Sequence, residues 1–203
     1  MTAKRIIVGI SGASGVIYGV RMLQMLRQAG VETHLVMSRS AQVTLGYETD
    51  MKVGDVAGLA DAVYSQADIG AAISSGSFRT MGMVVAPCSM RSLGEIATSI
   101  SSSLLTRAAD LVLKERRRLV LMVRETPLHL GHLRAMVAVT EMGAIVYPPV
   151  PALYARPDSV AAMIDQSVGR ARNAVNDVAF GGHSPSSSSG PTPFDYTGDP
   201  TLN

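Results

Sequence analysis

The segment Ile6-Ile7-Val8-Gly9-Ile10-Ser11-Gly12-Ala13-Ser14-Gly15 leaves this chain little choice of architecture. It joins an aliphatic run too short for a helix to a turn of small residues, and helical periodicity follows at once. Arg5 to Ile10 reads as a first strand. Val20, Leu23 and Leu26 then recur at helical spacing in a helix from about Val16 to Gln28, with Gly30 as its stop. The alternation continues down the chain. Glu32 to Met37 reads as a strand and Ser38 to about Tyr47 as a helix. Val53 to Ser77 reads as short helices and a small-residue loop. Met83 to Ala86 is a strand ended by Pro87, and Ser89 to Glu115 two helices around the serine-rich stretch Ser99 to Ser103. Leu119 to Val123 is a strand, Leu128 to Met142 a helix, and Ala144 to Tyr147 a strand leading into Pro148-Pro149-Val150-Pro151. A last helix should run from Pro157, which suits a first helical turn, to about Val178. Short strands alternating with longer helices predict an α/β fold, a doubly wound parallel sheet in a single domain.

The chain has 203 residues, enough to bury one continuous core. Residues 1–180 are expected to form that domain. The tail, residues 181–203, turns to Gly, Ser, Pro and Thr; it cannot bury enough apolar surface to offset its ordering and is expected to be mobile. A formal net charge of +2 gives no electrostatic footprint for nucleic acid, and the densest basic stretch, Lys114 to Arg118, reads as a solvated helix end. Cys88 is the only cysteine, so no intramolecular disulfide can form, and it reads as a small buried hydrophobe. Glycines interrupt the N-terminal apolar run, and no stretch approaches the roughly 18 apolar residues of a membrane helix. A cytoplasmic protein is the expectation. His129 and His132, three apart, have no third ligand nearby, so no metal is expected.

The glycine turn suits a bound phosphate or ring system, because a helix N-terminus directs N–H groups at it. There is no G-x-x-x-x-G-K-S/T, which argues against a Walker-type nucleotide triphosphatase. A dinucleotide fold would place an acid at the end of the second strand to hold a ribose, but this strand ends Val36-Met37-Ser38-Arg39-Ser40. Hydroxyls at a helix start suit a phosphate, so a mononucleotide such as FMN is favoured over NAD. Pro87-Cys88-Ser89-Met90-Arg91-Ser92 adds a third loop at the same carboxyl edge, where open α/β sheets gather their ligands.

These blocks, with Glu48-Thr49-Asp50, Arg107-Ala108-Ala109-Asp110, Lys114-Glu115-Arg116-Arg117, Val123-Arg124-Glu125-Thr126-Pro127-Leu128-His129 and Pro151-Ala152-Leu153-Tyr154-Ala155-Arg156-Pro157, resemble the UbiX-type flavin prenyltransferases over roughly residues 4 to 178. The resemblance implies a flavodoxin-like fold and a dodecamer with active sites between subunits, needing no metal. The implied reaction joins a dimethylallyl group, from dimethylallyl phosphate or diphosphate, to N5 and then C6 of reduced FMN. The product, prenylated FMN, would pass to a UbiD-type decarboxylase. Carried over by position, Gly12, Ala13 and Ser14 would meet the flavin, with Ser14 near N5. Ser38 would hold the FMN phosphate, and Ser89, Met90, Arg91, Ser92 and Arg107 would line the flavin. Lys114, Arg124, Tyr154 and Arg170 would grip the isoprenyl phosphate, with Arg124 also touching the cofactor. Glu125 and Glu48 would stand beside the reacting groups.

That set makes chemical sense. Loss of phosphate from an allylic carbon leaves a cation and a departing anion, and preorganised Lys, Arg and Tyr donors stabilise the charge building on the phosphate. A carboxyl such as Glu125 can pass a proton to the leaving group and later take one from flavin C6. Two departures from the family stand out. Relatives often carry Asp or Asn, sometimes with Gly, where this chain has Ser101-Ser102-Ser103, and many place an Arg-Trp pair near the C-terminus where this chain has only Phe194-Asp195-Tyr196. Competing readings are an FMN-dependent decarboxylase, acting on a cysteine-derived peptide or directly on an aromatic acid, and an FMN carrier or assembly subunit without transferase activity. Reaction of an isoprenyl phosphate on bound flavin discriminates among them.

Overall fold

The computed structural model describes residues 4–176. Six parallel strands form one sheet: β1 (Arg5–Ile10), β2 (Glu32–Met37), β3 (Ala62–Tyr64), β4 (Gly82–Cys88), β5 (Arg118–Val123) and β6 (Ile145–Val146), in the order β3-β2-β1-β4-β5-β6. Without the short edge strand β3, the order is the flavodoxin-like 2-1-3-4-5. The aliphatic runs are continuous rather than alternating because both faces are covered: β4 is buried along its whole length, and β1, β2 and β5 at every position but the first.

One face packs on α1 (Val16–Gln28), α2 (Arg39–Glu48) and α7 (Val160–Asn176), through Val20, Leu23, Leu26, Leu45, Val168 and Ala171. The other packs on α4 (Met90–Ala97), α5 (Leu104–Lys114) and α6 (Leu130–Glu141), through Leu93, Leu105, Ala108, Val112 and Val139. A short α3 (Val53–Ala57) precedes β3. Arg21 of α1 grips Asp165 of α7 through two hydrogen bonds, at 2.7 and 2.8 Å, and so ties the last helix to the first. Cys88 is fully buried, and burial pushes its thiol up to about 12.

The expected elements are present with small shifts. β4 extends past the expected Met83–Ala86 at both ends, and α6 starts two residues late because the His129 side chain caps it, accepting from Gly131 N–H at 3.0 Å. β3 was not anticipated. The expected C-terminal tail and the Phe194-Asp195-Tyr196 segment lie outside the described residues. Strand order reverses between β1 and β4, so their carboxyl ends open a crevice into which the loops after β1, β2 and β4 converge.

Candidate active site

Gly12 to Gly15 turn the chain from β1 into α1. Gly15 adopts φ +99°, a left-handed conformation that a side chain would strain, and a Cβ on Gly12 would collide with the Ser40 side chain. The turn therefore lies directly against the start of α2. Glu48, at the far end of α2, folds back onto it: its carboxylate accepts from Gly15 N–H at 2.9 and 3.0 Å and from Val16 N–H at 2.9 Å, and bonds the Ser14 side chain. Burial would raise the Glu48 pKa. The hydrogen bonds from Ser14, Gly15 and Val16, with the charge of Arg124, outweigh it and hold the carboxyl below its usual range. An anion is thus fixed at the N-terminus of α1, where the helix dipole favours it.

Buried Ser11, which sequence reasoning passed over, stitches this turn to the loop after β4. Its hydroxyl donates to Pro87 carbonyl at 2.8 Å and accepts from Ser89 N–H at 2.7 Å. Ser89 in turn caps α4 by accepting from Ser92 N–H at 3.3 Å, as Ser38 caps α2 by accepting from Ala41 N–H at 3.0 Å. Two capped helix N-termini and a glycine turn consequently face one open cleft of about 630 Å³. Its wall includes Gly12, Ser38, Arg39, Ser40, Ser89, Arg91, Ser92, Ser102 and Ser103. Hydroxyls, helix N–H groups and Arg39 at one end are the donor set that a phosphate monoester requires. Gln66 and Glu95, neither singled out from sequence, complete the polar wall.

The other expected site residues fall into separate places. Ala13 is buried and Met90 half-buried against the core, so neither side chain belongs to the cleft wall. Arg124 follows β5 and is exposed; its charge acts on both Glu48 and the half-buried phenol of Tyr18, whose pKa burial raises against the pull of Arg124. Glu125 is exposed beside it, with its carboxylate accepting from Thr126 N–H at 3.0 Å. Tyr154 stands exposed on the 153–155 turn. It and Arg170 both act on Tyr147, whose pKa burial raises, Arg170 lowers and Tyr154 raises. Arg107 pairs with Asp110 at 3.5 Å, one turn below Ser103 on α5. Lys114 ends α5 at the amino edge of the sheet, roughly 16 Å from Ser103 at 1.5 Å per helical residue, and pairs loosely with Glu115 at 3.8 Å. One chain therefore brings Ser14, Glu48 and Arg124 together beside the cleft and leaves Lys114 at the opposite edge.

The chain matches the flavoprotein family over residues 1–171. Flavin prenyltransferase UbiX of Escherichia coli (strain K12) is 60% identical over 168 residues, spanning 82% of this chain and 89% of that protein. The chain belongs to the UbiX-type flavin prenyltransferase family. Flavin prenyltransferase UbiX of Thauera aromatica is 58% identical over 164 residues, with 81% of this chain and 84% of that one covered. Among solved structures, AnUbiX in complex with FMN and dimethylallyl pyrophosphate superposes with a TM-score of 0.85 at 49% identity, over 86% of this chain and 93% of that one. A dodecameric FMN-dependent UbiX-like decarboxylase from Escherichia coli O157:H7 gives 0.82 at 48% identity, over 83% and 93%. The cysteine decarboxylase TvaF, at 18% identity and a TM-score of 0.58, shares the fold alone. Among the described residues, no helix is long and apolar enough to cross a membrane, and no group of three or more His, Cys, Asp or Glu is placed to hold a metal.

Proposed function

We propose that this protein is a flavin prenyltransferase: it transfers a dimethylallyl group from dimethylallyl phosphate or diphosphate to N5 and then C6 of reduced FMN. The observation that carries the reading is the cleft itself, a serine-rich cradle on two helix N-termini beside a glycine turn held by Glu48, in a chain 52–60% identical to flavin prenyltransferases. FMN supplies an electron-rich nitrogen and carbon when reduced, and the chain supplies position and charge. Ser38, Ser40 and Arg39 take the FMN phosphate. Ser14, held by Glu48, lies beside flavin N5, while Ser89, Ser92 and Arg107 border the ring. Arg124, Tyr154 and Arg170 grip the isoprenyl phosphate and stabilise the negative charge that grows as the carbon–oxygen bond breaks. Arg guanidinium offers that group a planar two-point contact, which lysine lacks. Glu125 handles the protons, giving one to the departing phosphate and taking one from flavin C6.

Lys114 joins that grip from a neighbouring copy, since its own cleft lies at the other edge of the sheet. A homo-oligomer, a dodecamer on the pattern of the Escherichia coli relative, supplies the neighbour. Residues 1–180 constitute the working domain, in the cytoplasm, and the prenylated FMN passes to a UbiD-type decarboxylase.

The test is to mix purified protein with reduced FMN and dimethylallyl phosphate under anaerobic conditions and weigh the released flavin by mass spectrometry. A gain of one five-carbon unit is expected. Unmodified FMN with both the phosphate and the diphosphate would sink the reading and favour a flavin carrier. Carbon dioxide release from an aromatic acid without any partner would favour a direct decarboxylase.

A further inference from the structure

Glu95 lies on α4 and is the one carboxylate in the cleft wall. Its pairing with Arg91 at i,i+4 has the form of a solvated surface bridge, but the two side chains are not alike: Arg91 is 84% exposed and Glu95 only 16%. The 98–103 loop folds back over it. Ile100 N–H donates to the Glu95 carbonyl at 2.8 Å, and Ser102 hydroxyl donates to its carboxylate at 2.6 Å. Arg91 Nε donates to the other carboxylate oxygen at 3.0 Å. Burial would raise the Glu95 pKa, yet the hydrogen bonds from Ser102, Arg91 and Thr106 outweigh it, so the group stays ionised. A carboxylate offers about four acceptor positions and the chain fills three, with the group still facing the cleft.

Among the residues lining the cleft, Ser38, Arg39, Ser40, Ser89 and Ser92 bring donors, and Glu95 brings the one carboxylate, its charge partly offset by Arg91 at 3.0 Å. The open acceptor position of this ionised carboxylate is the strongest acceptor in the wall for a ligand hydroxyl or ring N–H, stronger than a serine hydroxyl or the Gln66 amide oxygen.

We propose that Glu95 is a specificity-determining residue of the cleft, accepting a hydrogen bond from a neutral donor of the bound mononucleotide, a polyol hydroxyl or ring N–H, and so fixing which way the ligand lies. This rests on the flavin reading above. It also gives the Ser101-Ser102-Ser103 stretch a purpose: Ser102 holds a carboxylate that α4 supplies.

The experiment titrates FMN into the intact protein and into Glu95→Ala, Glu95→Gln and Ser102→Ala, following flavin fluorescence at low and high salt. Melting temperatures confirm that each variant is folded. Loss of a hydrogen bond to a charged acceptor should weaken FMN binding about ten- to a hundredfold in Glu95→Ala, equally at both salts because the donor is neutral. Glu95→Gln, which keeps an acceptor oxygen, should recover part of that loss. Ser102→Ala should lose less than about threefold. Affinity unchanged in Glu95→Ala would show that no ligand donor reaches Glu95, and affinity tighter at low salt that Glu95 only repels phosphate; either would overturn the proposal. A Ser102→Ala loss equal to that of Glu95→Ala would overturn it as well, by making Glu95 a mere loop latch. Intact protein that fails to bind FMN would overturn the flavin reading itself, a result distinct from both.

Discussion

Glu48 and Glu125 show how one residue type takes two employments in one neighbourhood. Glu48 is committed to backbone N–H groups, so its charge belongs to the architecture of the turn. Glu48→Ala should cost about 1 kcal/mol at neutral pH, the ordinary worth of a helix cap. Its folded pKa is depressed below the usual 4.5, so this stabilisation is present above that value and vanishes as pH falls through the folded pKa. Urea unfolding of the variant and the intact protein at pH 7 and at pH 3 should show the gap closing. Glu125, by contrast, is exposed and bonds only the next amide, which leaves it available for proton transfer. Glu125→Gln should retain FMN within about twofold yet slow prenyl transfer by roughly 10²-fold or more, read by single-turnover mass spectrometry. Single residues such as these were legible in sequence only with their neighbours. Arg124-Glu125 alone is an unremarkable charged pair, and Thr126-Pro127-Leu128-His129 makes it recognisable. Glu95 had no such company; its burial comes from a loop folding back in three dimensions, which spacing along the chain does not record.

Elements were more legible than residues, for a physical reason. Strands β1 and β5 are buried on both faces, so their apolar runs are long and their ends are marked by Ser or Arg, while β2 buries Thr33 and His34 before its aliphatic end Leu35-Val36-Met37. Edge strand β3 has three residues, Ala62, Val63 and Tyr64, all at least partly exposed, and so carries no pattern to read. The junction of β1, the glycine turn and α2 depends on contact rather than pattern. Gly12→Ala must push Ser40 and the start of α2 away, so it should weaken FMN binding more than tenfold while lowering the melting temperature by only a few degrees. Titration of flavin fluorescence beside a thermal scan checks both halves. A loss confined to stability would show that the two loops do not share a ligand.

At the scale of the whole molecule, the chain looks unfinished. α6 buries only Val139 and leaves Leu130, Leu133 and Val137 each about half exposed, while Lys114 waits at the edge away from its cleft. A second copy, as proposed above, would answer both facts. Co-expressed Lys114→Ala and Glu125→Gln chains, each impaired alone, should form mixed oligomers in which some clefts receive both intact groups, with activity above either parent. Activity no higher than the parents would place the entire set within one subunit. The proposed division of labour would be invisible in sequence, because adjacency in the Lys114-Glu115-Arg116-Arg117 block says nothing about which cleft a side chain serves.

Cys88, sealed at the end of β4, has a practical corollary for reporter chemistry. Its side chain is fully buried, and burial pushes the thiol pKa up, so at pH 8 the group is both inaccessible and un-ionised. A thiol introduced at exposed Val150, four residues from Tyr154, would therefore take up a maleimide dye almost exclusively. The native protein comes already silenced for single-site labelling, and a fluorophore there could watch the proline-rich loop while isoprenyl phosphate arrives.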